Sequence, residues 1–127
     1  MSAARLAPDL CVIGGGAGGL AVAAGAAQMG AEVVRVERGP MGGDCLNFGC
    51  VPSKSLLAAS RLAEAWRRAP QFGLDYAPPR IDFAAVGAAV ENVIAGLAPN
   101  DSTERFEALG VRVLHAEAKF SGPRALM

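Results

Sequence analysis

Six residues, Gly14-Gly15-Gly16-Ala17-Gly18-Gly19, follow directly on the apolar run Leu10-Cys11-Val12-Ile13 and lead into an Ala-rich stretch that ends at Gly30. Few folds can use so much glycine in one place. From Leu10 to Ala31 there is no charge, which is about the length of a membrane span, and Gly14 to Gly18 has the spacing of a helix-packing glycine pair. A span, however, would spread its small residues along the helix, whereas these cluster at one end of it. The cluster suits a strand, a tight phosphate-binding turn and a helix, in that order. Gly14-x-Gly16-x-x-Gly19 then has a stated use for each position: the first glycine makes the turn, the second lets backbone approach a pyrophosphate, and the third lets helix pack on strand. The helix is expected from about Ala17 to Met29, with Gly30 as its C-cap. Glu32-Val33-Val34-Arg35-Val36 reads as a second, parallel strand that delivers Glu37 at its C-terminal end, near the distance at which a carboxylate binds ribose hydroxyls. Strand, helix, strand and terminal acid in register make an α/β chain with a βαβ unit.

A second concentrated segment follows, Gly42-Gly43-Asp44-Cys45-Leu46-Asn47-Phe48-Gly49-Cys50-Val51-Pro52-Ser53-Lys54. On a regular helix Cys45 and Cys50 would lie about 8 to 9 Å apart, beyond the roughly 7 Å Cα separation that a disulfide can bridge. Joining them requires a distorted turn, which Gly49, Pro52 and the pre-proline Val51 favour. A helix is expected to begin near Pro52, placing both sulfurs close to its positive N-terminus and to Lys54, conditions that favour thiolate. Inert core thiols would not need this density of Gly, Asn, Pro, Ser and Lys. A zinc site would need four ligands at short spacings, and only the distant Cys11 and His115 could complete it. Cys11, inside an apolar run, reads as a buried strand residue.

Val12-Ile13-Gly14-Gly15-Gly16-Ala17-Gly18-Gly19, then Val36-Glu37-Arg38, then the Gly42 to Lys54 segment closely resemble the start of the FAD-dependent pyridine nucleotide-disulfide oxidoreductases. Cys-Leu-Asn with Val-Pro-Ser-Lys is more similar to dihydrolipoamide dehydrogenase-like and mercuric reductase-like members than to glutathione reductases, which usually carry Lys where Ser53 stands. The resemblance implies an incomplete Rossmann-like FAD-binding domain: the βαβ unit, a redox helix, further helices and a third parallel strand. It implies that Gly14, Gly16 and Gly19 accommodate the FAD pyrophosphate. Glu37, with Arg38 beside it, would meet the adenosine ribose, and Gly43 and Asp44 would line the flavin phosphate channel. Cys50 would face the flavin and accept its electrons, Cys45 would exchange with substrate, and Lys54 would approach the flavin's reactive edge. Asp44 departs from the pattern, because many members have Thr there and a carboxylate beside a pyrophosphate must be turned away or compensated. The segment at Ala118 would contribute backbone to adenine, although the family often has Gly there.

The rest of the chain is plainer. Ser55 to Ala69 continues the redox helix; Pro70 to Arg80, with Pro78-Pro79, reads as a loop. Asp82 is expected to cap a helix through about Ala98, with Val86, Val90, Val93, Ile94 and Leu97 on its apolar face and Pro99 stopping it. Asp101 or Ser102 caps a short helix ending at Gly110, Val111 to Ala116 is the third strand, and Ser121-Gly122-Pro123 is a turn. His115, the only histidine, reads as structural or surface, since a general base needs a carboxylate in reach and the family's His-Glu pair belongs to its C-terminal dimer domain. Twelve Lys and Arg balance twelve Asp and Glu without a basic run, so charge marks neither a nucleic-acid nor a membrane surface. Three cysteines and no signal-peptide pattern point to a reducing cytoplasm, where a disulfide is more often catalytic than structural.

With 127 residues, one partial domain spanning 1–127 is expected. The resemblance implies that NAD(P)H, a disulfide or mercuric substrate, and a homodimer belong to the complete enzyme. The nicotinamide and dimer-interface domains lie beyond this segment, which would be inactive alone. The alternative is a non-catalytic nucleotide-binding or scaffold fragment that uses its sheet edge to pair with another chain.

Overall fold

A computed structural model describes residues 5–75 and 77–127; Tyr76, which falls in the expected loop, lies outside the described residues. The chain begins with β1 (Leu10–Ile13), α1 (Ala17–Gln28) and β2 (Val33–Glu37). β1 and β2 are parallel, with Val12 opposite Arg35 and Ile13 opposite Val36. A strand of four residues inside Leu10–Ala31 leaves α1 too short to span a bilayer, which needs about 20 residues.

Two helices carry the cysteine segment: α2 (Gly43–Asn47) and α3 (Cys50–Arg68). The redox helix therefore starts at Cys50, two residues before the position expected from Pro52. Pro52 is still within the first turn, where its missing amide hydrogen has no helical partner to lose. α2 was not anticipated. Asn47 builds it by donating from Nδ2 to the carbonyls of Met41 at 3.0 Å and Gly43 at 2.8 Å.

After a 3₁₀ turn at Ala69–Phe72 comes α4 (Phe83–Leu97), capped by the Asp82 carboxylate, which accepts from the Ala85 amide at 3.1 Å. Phe83 to Ala108 is long and apolar enough in total to cross a membrane by length and composition. α4 itself has 15 residues, about 22 Å of helix against a hydrocarbon core of about 30 Å. A 3₁₀ turn at Ala98–Asp101 and an extended Ser102 then interrupt the run. Ser102, one of the two candidates, is the cap of α5 (Thr103–Ala108), accepting from the Arg105 amide at 3.2 Å.

β3 (Val111–His115) pairs in parallel with β2, giving a three-stranded sheet ordered β1-β2-β3. The chain closes with an antiparallel pair, β4 (Phe120–Gly122) and β5 (Ala125–Leu126). The expected turn moves on by two residues, to Pro123 and Arg124, because Ser121 and Gly122 are held in β4.

The core lies between the sheet and the α1 and α5 layer: Val12, Leu20, Ala23, Val33, Phe106, Val111 and Val113. Val33 and Val111 are almost wholly buried, each worth about 1.5–3 kcal/mol of apolar transfer. Four consecutive β2 residues are buried, as a central parallel strand requires. β1 sits at the sheet edge, and this overturns one expectation: Cys11 is exposed, because it points to the face of β1 opposite the core. α3 and α4 pack together, yet Leu62 and Phe83 stay exposed and no residue of either helix is buried.

α1 can approach the sheet because Gly19 lacks a side chain. A Cβ there would fall well inside contact distance of the Gly14 carbonyl oxygen, whereas one at Gly25 meets nothing within 4 Å. Gly19→Ala is expected to destabilise the chain by about 1–3 kcal/mol through overpacking. Gly25→Ala, in the interior of the same helix, should raise stability by about 0.5–1 kcal/mol. Urea denaturation of the two variants checks both signs; equal shifts would remove Gly19's packing role.

Candidate functional site

The glycine turn runs from the end of β1 to the start of α1. Gly14 has φ +106°, a backbone region that costs L-residues with a Cβ, and its amide donates to the Val36 carbonyl at 2.8 Å. Space divides the glycines of the two motifs into two sets. Cβ positions built at Gly14 and Gly16 are open, with nothing within 4 Å. Those at Gly15 and Gly43 are filled: a Gly15 Cβ would lie 2.5 Å from Glu37 Oε2 and 2.8 Å from Arg35 Nη2, and a Gly43 Cβ 2.6 Å from the Gly16 Cα.

The cysteine segment is fastened to this turn through backbone. Gly42 donates to the Gly15 carbonyl at 3.0 Å, just where α2 starts. A cleft of about 330 Å³ follows, running from Ala17 and Leu20 of α1 past Gly42 and Leu46 to Cys45 and Val51, with Asp101 on its far wall.

Cys45 and Cys50 lie on different helices. α2 ends at Phe48, and the Asp44 carbonyl accepts the amides of both Phe48 at 2.8 Å and Gly49 at 2.6 Å, closing the turn. Gly49 packs against Asp44, whose Oδ2 would lie 2.9 Å from a Cβ built at position 49. Asp44 itself is exposed, with its carboxylate beside Gly49. The break sets the two free thiols close enough for one to act on the titration of the other. Cys45 is half-buried and Cys50 exposed.

One electrostatic expectation is overturned here. The Cys45 thiol is pushed above its ordinary value, first by its side-chain hydrogen bond with Cys50, then by burial and by the charge of a Cys50 thiolate. The Cys50 amide and Lys54 pull the other way and do not prevail. Cys45 is the third residue of the five-residue α2, so the amide end of the long helix serves Cys50, its first residue.

Glu37 accepts from the Gly15 amide and, at 2.6 Å, from the Gly39 amide, so its carboxylate closes over the glycine turn. Its own carbonyl accepts from Ala116 at 3.0 Å, and exposed Arg38 reaches Glu117 at 3.8 Å. The end of β2 is thereby tied to the segment that holds Ala118, which is half-buried. His115 stands opposite Glu37 in the sheet register and its Nε2 lies 2.9 Å from Thr103 Oγ1.

Sequence reasoning passed over Arg35. It is completely buried, with Nε donating to the Gly14 carbonyl at 3.2 Å, its guanidinium 5.1 Å from the Phe106 ring centroid, and Nη1 and Nη2 without a hydrogen-bond partner. Burial lowers its pKa, while Glu37 and then Asp101 raise it; a guanidinium keeps its charge in such a place. The available signal was a lone arginine among valines in a strand covered on both faces. Gly15 was also missed, since only the tertiary contact with Arg35 and Glu37 makes it necessary.

A sequence profile described as pyridine nucleotide-disulphide oxidoreductase matches residues 8–123. A mercuric reductase of Streptomyces lividans is 39% identical over 117 residues, covering 91% of this chain and 25% of the relative. Dihydrolipoyl dehydrogenase 2 of Haloarcula marismortui is 39% identical over 116 residues, covering 88% and 23%. A dihydrolipoyl dehydrogenase of Thermus scotoductus is 38% identical over 125 residues, covering 93% and 25%. The chain thus spans about a quarter of the length of these curated relatives. With the glycine turn and the dithiol segment joined on a parallel sheet, and the family profile covering nearly all the residues, this chain belongs to the pyridine nucleotide-disulphide oxidoreductases.

Proposed function

We propose that the chain is the FAD-binding, redox-disulfide segment of an NAD(P)H-dependent disulfide oxidoreductase of the dihydrolipoyl dehydrogenase or mercuric reductase kind. The observation that carries this reading is the continuous cleft from the first turn of α1 to Cys45, with the cysteine segment hydrogen-bonded to the glycine turn. The residues fit the cofactor. Open space over Gly14 and Gly16 leaves room for a diphosphate against the backbone, and the α1 N-terminus favours an anion there. Gly19 seats the helix, Gly43 brings α2 against the turn, and Asp44 contributes backbone to the phosphate channel. Glu37 is the ribose partner, once its carboxylate exchanges a glycine amide for hydroxyls, with Arg38 and the Ala118 segment beside it.

Bound FAD supplies a two-electron carrier. The chain's own contribution is the thiol pair: on reduction of a Cys45–Cys50 disulfide the S–S bond breaks, two electrons and two protons are taken up, and two thiols result. Cys50, the first residue of α3, is assigned to face the flavin and accept its electrons. Cys45, the thiol that lines the cleft, is assigned to exchange with a disulfide or mercuric substrate and reacts once it has lost its proton. Lys54, in the second turn of α3, adds positive charge beside the pair. The nicotinamide cofactor and the substrate are assigned to the complete enzyme, whose relatives' names point to both substrate classes.

Purified chain mixed with FAD and freed of excess should be yellow, and dithionite titration should consume two electrons beyond those of the flavin itself. Cys50→Ser should retain the flavin and lose the additional pair. Colourless protein that takes up no FAD would favour the non-catalytic scaffold reading instead.

The thiol pair makes a pH prediction. Since the largest upward influence on Cys45 is the Cys50 side chain, Cys50→Ala should move the alkylation of Cys45 by iodoacetamide to lower pH. At neutral pH the rate should rise several-fold, because the thiolate is the reacting species. Peptide mass spectrometry separates Cys45 from Cys11; an unmoved profile would remove the proposed coupling.

A further inference from the structure

The charge of Arg35 has no explanation in stability. It occupies the middle of the central strand, between Val34 and Val36 and facing an apolar core, yet two of its three guanidinium nitrogens lack a partner. Even with the charges of Glu37 and Asp101 nearby, a buried cation with two nitrogens unbonded costs several kcal/mol, and an apolar side chain of similar volume would pack there without that cost. What distinguishes the position is what lies over it. Nε holds the Gly14 carbonyl inward at 3.2 Å, and Nη2 lies 2.8 Å from where a Gly15 Cβ would sit, so the guanidinium is directly beneath the turn that precedes the α1 N-terminus. Glu37 lies on the same side of Gly15, and its carboxylate is engaged by the Gly15 and Gly39 amides.

We propose that Arg35 is a positioning residue for a ligand diphosphate: sealed under the glycine turn, it orients the Gly14 carbonyl inward and supplies a fixed positive potential at the start of α1. This rests on the nucleotide-binding reading above and adds to it a residue from the core side of the sheet. The guanidinium does not touch the ligand, because it has no exposed surface. Its effect passes through the backbone of Gly14 and Gly15, a low-dielectric layer in which a unit charge several ångströms away alters anion affinity by about tenfold or more. A neutral nucleoside at the same site feels neither effect.

The test compares FAD, ADP and adenosine on the 127-residue chain by titration calorimetry. Arg35→Met should fold, with a melting temperature equal to or above that of the parent, and bind ADP and FAD about tenfold more weakly while adenosine affinity stays unchanged. Arg35→Gln replaces it as the neutral variant if Met does not fold. Arg35→Lys, which keeps the charge, should restore most of the ADP affinity. Equal weakening of ADP and adenosine would mean a merely structural role and would overturn the proposal, as would an unchanged ADP affinity in both neutral variants. If the parent chain binds FAD but the variants bind it equally well, Arg35's role alone falls; if the parent binds neither FAD nor ADP, the nucleotide reading falls with it.

Discussion

Two glycine-rich segments meet backbone to backbone, and the site depends on that meeting. The Gly42 amide donates to the Gly15 carbonyl, and Gly43 comes so near the Gly16 Cα that a side chain at position 43 has no room. A contact of this kind needs bare backbone on both sides. It joins two motifs separated in sequence by β2 along a single cleft, with the first turn of α1 at one end and Cys45 at the other. The hydrogen bond itself contributes only about 1 kcal/mol; its importance lies in direction, because it decides where α2 starts and therefore where Cys45 stands.

The second determinant is the break between α2 and α3. One continuous helix would hold Cys45 and Cys50 too far apart to react with each other. The Asp44 carbonyl takes two amides at the break, Asn47 staples the preceding turn, and α3 begins afresh at Cys50. The two thiols consequently differ in environment. Cys50 has the N-terminus of a 19-residue helix, and Cys45 has mainly Cys50 as a neighbour, which holds its proton on.

Much of this was legible along the chain because the relevant signals are local. Strand, turn, helix and strand from Leu10 to Glu37 follow from apolar runs punctuated by glycine, and the caps at Asp82 and Ser102 follow from side chains that bond amides three residues on. Where the reading failed, a nonlocal fact decided. Cys11 looks buried in an apolar run, but strand alternation puts it on the face of β1 opposite the core. α2 is five residues of weak helix propensity held by side-chain bonds to backbone, which no periodicity announces. The upward shift at Cys45 arises from a sulfur contact across a helix break, while the helix-end argument that suggested the opposite holds for only one of the two residues.

Residue order by itself determined the local framework: glycines in the turn between strand and helix, an acid at the end of the second strand, and two cysteines in a segment that disfavours one regular helix. These depend on intrinsic backbone preference and on short spacings, so the sequence contains them. Tertiary structure alone decided which glycine positions are open and which are filled, that Cys50 pushes the Cys45 thiol up, and that a strand arginine lies sealed beneath the turn. Those outcomes depend on distances between Arg35, Gly15 and Glu37, and between Gly16 and Gly43, that exist only once the sheet has brought β1, β2 and the cysteine segment together.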